Sequence, residues 1–173
     1  EDALTRPRNI IGNPNCTTIQ MVVALNPIHK LSPIRRVHVA TYQAASGAGA
    51  SAMAELAKQY EQIINGEEPT VEKFSAQLAY NLIPQVDVFM ENGYTKEEMK
   101  MVNETRKILG DDNIKITATT VRVPVFNGHS ESINVEFYND FDLNELFEVL
   151  RNAPGVVVED DVENNIYPLA INA

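Results

Sequence analysis

The chain has 173 residues, 44% of them hydrophobic, which is enough for one domain with a real core. Its formal net charge of −10 argues against nucleic-acid and anionic-membrane partners, and a single cysteine excludes an internal disulfide framework. No apolar run reaches membrane-spanning length and no signal peptide opens the sequence, so a cytoplasmic location is expected.

Residues 1–9 are polar and read as an N-terminal arm, with a single domain from residue 10 to the end. The apolar pair Ile10-Ile11 leads into Gly12-Asn13-Pro14-Asn15-Cys16-Thr17-Thr18. From Thr17 to about Lys30 the pattern is helical, with Ile19, Val22, Val23 and Leu25 on the apolar side and Asn26-Pro27 as an end or a bend. Arg36 to Gln43 alternates around Val37 and Val39 as a strand does. Small residues fill Ala44 to Ala50, and Met53, Leu56, Tyr60 and Ile63 mark a helix over about 50–64. Residues 65–93 fit neither period well, and Phe74 to Leu82 reads equally as helix or strand.

Thr95-Lys96-Glu97-Glu98 is a capping box opening a helix to about Leu109, closed by Gly110. Ile114 to Val125 is rich in Ile, Thr and Val and reads as a long strand. Asn127-Gly128 predicts a tight hairpin into a returning strand over 129–138, with Ile133, Val135 and Phe137 on one face. Asp142 caps a short helix carrying Leu143, Leu146, Phe147 and Leu150, and Val156 to Val158 predicts a short strand. Helices and strands mix without strict alternation, which predicts an α+β fold with a mixed, mainly antiparallel sheet and helices packed on it.

Cys16 stands at the start of a helix, where free N–H groups and the helix dipole favour a thiolate and can hold an oxyanion. A buried structural cysteine is the competing reading. His129 follows the turn in phase with the apolar face of its strand, where an imidazole can shuttle protons. A simple hairpin would pair 122 with 133 and put Arg122 on the face of His129. A covered guanidinium needs an anion, either a ligand carboxylate or a structural partner. Glu97 and Lys100 are a solvated helix pair or the grips for an ammonium and a phosphate. Gln43 ends a strand beside the Ser46–Ala50 loop, where its amide orients a carbonyl or caps the strand. His29 and His38 read as structural.

Asn13-Pro14-Asn15-Cys16-Thr17-Thr18, Gln43 with Ala44 to Ala50, Glu97-x-x-Lys100 before Glu104-Thr105, and Arg122-Val123-Pro124 before Gly128-His129-Ser130 together resemble aspartate-semialdehyde dehydrogenase. The resemblance runs over essentially the whole chain, in the family's order. It implies the catalytic and dimerisation domain of a fold like that of glyceraldehyde-3-phosphate dehydrogenase. Cys16 would then be the nucleophile and His129 the general acid/base. Gln43, Glu97 and Arg122 would bind the aspartyl part of the substrate, Lys100 and Asn15 the phosphate. Ser46, Gly47, Ala48, Gly49 and Ala50 would line the nicotinamide side of NADP, and no metal is implied. The implied reaction reduces aspartyl 4-phosphate to aspartate semialdehyde and phosphate, in biosynthesis of lysine and diaminopimelate, threonine and methionine. A homodimer or higher assembly is implied as well.

Unlike full-length members, this sequence has no nucleotide-binding half with its glycine-rich phosphate loop before Cys16. The 173 residues alone are therefore expected not to turn over. The other readings are an inert dimerisation module and a cysteine-dependent acyl transferase or hydrolase.

Overall fold

The computed structural model describes Thr5 and residues 10–172, so the expected arm over 1–9 lies, Thr5 apart, outside the described residues. Helix α1 (Cys16–Leu31) leads into strand β1 (Ile34–Gln43). A 3₁₀ turn over Ala45–Ala48 precedes α2 (Ala50–Ile64). Then come α3 (Lys96–Leu109), β2 (Lys115–Arg122), β3 (Ser130–Phe137), α4 (Leu143–Arg151) and a closing 3₁₀ turn, Ala170–Asn172. Among the described residues no helix is long and apolar enough to cross a membrane.

The fold is α+β around a mixed three-stranded sheet of order β2-β1-β3. β1 runs parallel to β2 and antiparallel to β3, so each junction is of a different kind. The predicted hairpin between residues 114–125 and 129–138 therefore does not form. A two-residue turn of that type needs positive φ at both central residues. Gly128 has φ +79, but Asn127 is not among the residues with positive φ. Instead the chain crosses the end of β1. Val123 N–H donates to Gln43 O at 3.0 Å, Ala45 N–H to Val125 O at 2.8 Å and Ser46 N–H to Phe126 O at 2.9 Å. β3 then enters on the far side of β1.

Pro27 neither ends nor breaks α1, which runs on to Leu31. The proline removes one interior donor and crowds the carbonyl of Val23, a position on the exposed side of the helix. Burial of Leu25 and Ile28 on either side offsets that loss. They join Met21, Ile34, Val37, Val39, Met101, Ile114 and Ala118 in the main core between α1, α3 and the sheet. Residues 156–158 form no strand, because they lack a ladder partner and Val157 is 83% exposed.

Residues 65–93 are mostly turns, fastened to α2 by polar side chains. The Glu55 carboxylate accepts from Glu72 N–H at 3.1 Å and Lys73 N–H at 2.7 Å. Gln59 accepts from Leu78 N–H at 2.9 Å and Ala79 N–H at 3.0 Å, and donates to Thr70 O at 2.9 Å. Leu78, Ala79 and Ile83 then close a second core with Ala45 and Leu56. Ile83 and Arg122 exchange N–H···O bonds of 3.0 and 2.8 Å, which extends the sheet at the end of β2.

The helices cover one face of the sheet. The other face is open, and its rows read across the strands as Lys115–Arg36–Glu136, Thr117–His38–Asn134, Thr119–Ala40–Ser132 and Val121–Tyr42–Ser130. Every residue in these rows is exposed or half-buried.

Candidate active site

Asn15 builds the first corner of the site. Its side-chain oxygen caps α1 by accepting from Thr17 N–H at 3.0 Å and Thr18 N–H at 3.3 Å. Its Nδ2 donates to Glu97 Oε1 at 2.8 Å, and its backbone N–H donates to Glu104 Oε2 at 2.8 Å. The start of α1 is thereby tied to α3, with Cys16 exposed at the first helical position.

Burial of its sulfur and the nearby Glu97 carboxylate push the Cys16 thiol up from its ordinary pKa. The N–H groups of Thr17 and Cys16 and the Arg122 guanidinium oppose this without prevailing. The helix start alone predicts the opposite shift. The difference comes first from burial and then from the α3 carboxylate brought against the thiol by the fold.

Glu97 is buried and central. Besides Asn15 it accepts from Gln43 Nε2 and from Lys100 Nζ, each at 3.4 Å. Lys100 also reaches Asp87 at 3.2 Å. Burial works against the Lys100 charge, but Asp87 and Glu97 prevail and hold its pKa above the ordinary value. Gln43 is buried at the end of β1, in register with Arg122.

Arg122 is only 7% exposed, yet among the described residues no carboxylate lies within ion-pair distance of it. Its Nη1 donates to Ala44 O at 2.6 Å. The backbone N–H of the same Ala44 donates to His129 Nδ1 at 3.0 Å. One buried residue thus bonds both side chains. Arg122 and His129 are neighbours as expected, but through the end of β1 and not through a hairpin. Burial, and then the Arg122 charge, pull the His129 pKa below its ordinary value, with Glu97 opposing.

Gly47 faces the pair. A Cβ there would lie 3.0 Å from His129 Cε1 and Nε2 and 3.2 Å from Arg122 Nη1, so a larger residue would displace them. Gly47 to Ala50 are exposed. Arg122 and Ala48 also line a cavity of about 400 Å³ with Lys73, Ser75, Gln85 and Asp87. Of the candidate site residues, Arg122 lines this cavity, and the Cys16, Glu97 and His129 side chains act electrostatically on it or are acted on by it.

Residues 25–173 match the family described as semialdehyde dehydrogenase, dimerisation domain. The chain belongs to this family. It is 55% identical to the aspartate-semialdehyde dehydrogenase of Aquifex aeolicus over 97% of this chain and 50% of that one. A solved structure of aspartate semialdehyde dehydrogenase II from Vibrio cholerae, complexed with ASA, is 50% identical with a TM-score of 0.85. That match covers 88% of this chain and 46% of the Vibrio chain. The Candida albicans enzyme, solved with NADP, is 26% identical with a TM-score of 0.56, over 80% of this chain and 34% of that one. The chain thus spans about half the length of the curated relatives it matches.

Three residues that hold the site together were not singled out as candidates from the sequence. Glu104 holds the turn before Cys16, Asp87 holds Lys100, and Ala44 joins Arg122 to His129. Glu104 sits seven positions beyond Glu97, on the same side of α3, which is the one cue that could have marked it. His29 is structural: its Nδ1 accepts from Ile34 N–H at 3.0 Å and ties α1 to β1. His38 lies on the open sheet face.

Proposed function

We propose that this domain carries the acyl-transfer centre of an NADP-dependent aspartate-semialdehyde dehydrogenase. The observation that carries the reading is Arg122, a buried guanidinium that has no carboxylate partner among the described residues, lines a cavity, and feels or acts on Cys16, Glu97 and His129. A buried cation in that state is matched by a ligand carboxylate, which its two-pronged donor holds in plane. Glu97 and Gln43 complete the grip on an amino-acid head group. Lys100 takes the phosphate. The Asn15 amide is committed to α1 and Glu97, so its part is to place Cys16.

The Cys16 sulfur attacks the acyl carbon of aspartyl 4-phosphate, and the N–H groups at the start of α1 stabilise the oxyanion. The carbon–phosphate oxygen bond breaks, phosphate leaves toward Lys100, and Cys16 carries a thioester. NADP in its reduced form, when bound, supplies the hydride that takes this acyl group to the aldehyde. The exposed turn over Gly47–Ala50 lets a flat ring approach, and glycine at 47 keeps that edge clear of His129. Cys16 leaves as the thiolate, and His129 manages the proton on the carbonyl oxygen.

Mass spectrometry of the chain treated with aspartyl phosphate tests the centre. An aspartyl adduct on Cys16 is expected, and loss of that adduct in Cys16→Ser. No adduct at any substrate concentration would rule the centre out. Arg122→Lys, placed at the matching position of a full-length relative, is expected to lower kcat/KM about tenfold to a hundredfold. That is the loss of roughly 1.5–3 kcal/mol from one charge-assisted bond. Unchanged kcat/KM would make Arg122 structural.

The open face of the sheet supports assembly, in keeping with the family's description as a dimerisation domain. We propose that a second copy packs on this face in closed two-fold symmetry.

A further inference from the structure

We propose that the backbone N–H of Ala44 fixes His129 as the neutral ring protonated at Nε2, so that His129 enters the reaction as a proton donor and not as the base that ionises Cys16. The proposal rests on the reading of Cys16 as nucleophile and assigns the first proton step at that same site.

A neutral imidazole carries one N–H, and the bond made by one nitrogen decides which. His129 Nδ1 accepts from Ala44 N–H at 3.0 Å, so the ring proton belongs on Nε2. Ala44 is fully buried, and its N–H has no water to turn to. Turning the ring over would face that donor with a C–H. Protonating Nδ1 would set two N–H groups against each other. Either change leaves a buried donor unpaired.

The surroundings hold the ring in place. Gly47 lies against the Cε1–Nε2 edge, so close that a Cβ there would stand 3.0 Å from both atoms. Gly128, the residue before His129, is backed by Ala170, whose carbonyl oxygen would clash with a Cβ at that glycine. The Arg122 cation, bonded to Ala44 O, opposes a second positive charge on the imidazole.

The proton balance follows. Cys16 is exposed, so its thiol proton leaves to solvent. The sulfur then forms the bond to the acyl carbon, and the carbonyl electron pair moves onto oxygen. His129 Nε2–H donates to that oxygen. When the carbonyl re-forms, the carbon–phosphate oxygen bond breaks, phosphate leaves and the proton returns to Nε2.

The test is a two-bond ¹H–¹⁵N correlation spectrum of the chain labelled at histidine, near pH 7, with His129→Gln used to assign the signals. The expected pattern is an unprotonated Nδ1 and a protonated Nε2. A protonated Nδ1, or an average of both forms, would overturn the proposal. A second sample carries lactate in place of Ala44, which swaps the N–H for an ester oxygen. The Nε2–H preference is expected to be lost there, and its survival would free Ala44 of the role. Iodoacetamide alkylation supplies the third arm. The pH midpoint for Cys16 is expected to be the same in His129→Gln as in the native chain, and a clear rise in the variant would make His129 the base. Absence of an acyl adduct on Cys16 would sink the reaction while leaving the spectrum unaffected, so the two readings fail separately.

Discussion

The charge beside Cys16 decides how it reacts. Burial and Glu97 raise its pKa, so the thiolate fraction at neutral pH is smaller than for a free thiol. Alkylation by iodoacetamide is expected to keep rising past the free-cysteine midpoint of about 8.5. Glu97→Gln keeps oxygen and size but removes the charge, and is expected to move that midpoint down. An unmoved midpoint would mean that burial alone sets the thiol. Glu131 poses a different question. Both of its oxygens are buried, and burial pushes its pKa up to about 7, with the Gln20 amide opposing. The folded state then binds a proton that the unfolded chain has released between about pH 4.5 and 7. Stability contributed by this group is present in acid and is lost as pH rises through that window, by an amount on the order of 3 kcal/mol. Urea titrations across this range should show the loss, and Glu131→Gln should flatten it.

At the scale of elements, α3 is held at its start by Glu98. This side chain closes the capping box by accepting from Thr95 N–H at 2.8 Å, and its other oxygen accepts from Thr120 N–H at 2.9 Å in β2. Glu98→Ala strands both buried donors and is expected to cost about 2–4 kcal/mol, read from the urea midpoint at constant m. A loss below about 1 kcal/mol would show that water reaches these groups. The capping box, the Gly110 stop at φ +69 and the Asp142 cap were all legible, because each is a local rule acting within a few residues. The places of four candidate residues were legible for the same reason: Cys16, Gln43 and Arg122 each begin or end an element, and Glu97 lies in the first turn of α3. What could not be read was pairing. Asn127-Gly128 has hairpin composition, but Gln43, Ala45 and Ser46 take the backbone bonds of residues 123–126. The 65–93 segment has no period of its own because its order comes from Glu55 and Gln59 on another element.

For the whole molecule, the open sheet face is the surface proposed for assembly, and its rows are mainly polar with Tyr42 and Val121 at one end. Light scattering at micromolar concentration is expected to give twice 19.3 kDa. A monomer would mean that the contact needs more than these 173 residues. Assayed in the same sample, the chain alone is expected to form no NADPH from aspartate semialdehyde, NADP and phosphate.

The place of β1 at the centre of the sheet also sets a timetable. Gln43 must find Arg122, and Ile34 must find Phe137, each many tens of residues further along the chain. On the ribosome β1 therefore emerges early with both edges bare and waits for strands made much later. Nothing local completes it, since α1 covers only one face. A nascent chain halted before Ser130 keeps at least one edge unpaired, and such edges recruit other strands. The order of synthesis thus makes the half-made chain the sticky species, with β3 as the strand whose arrival ends the exposure.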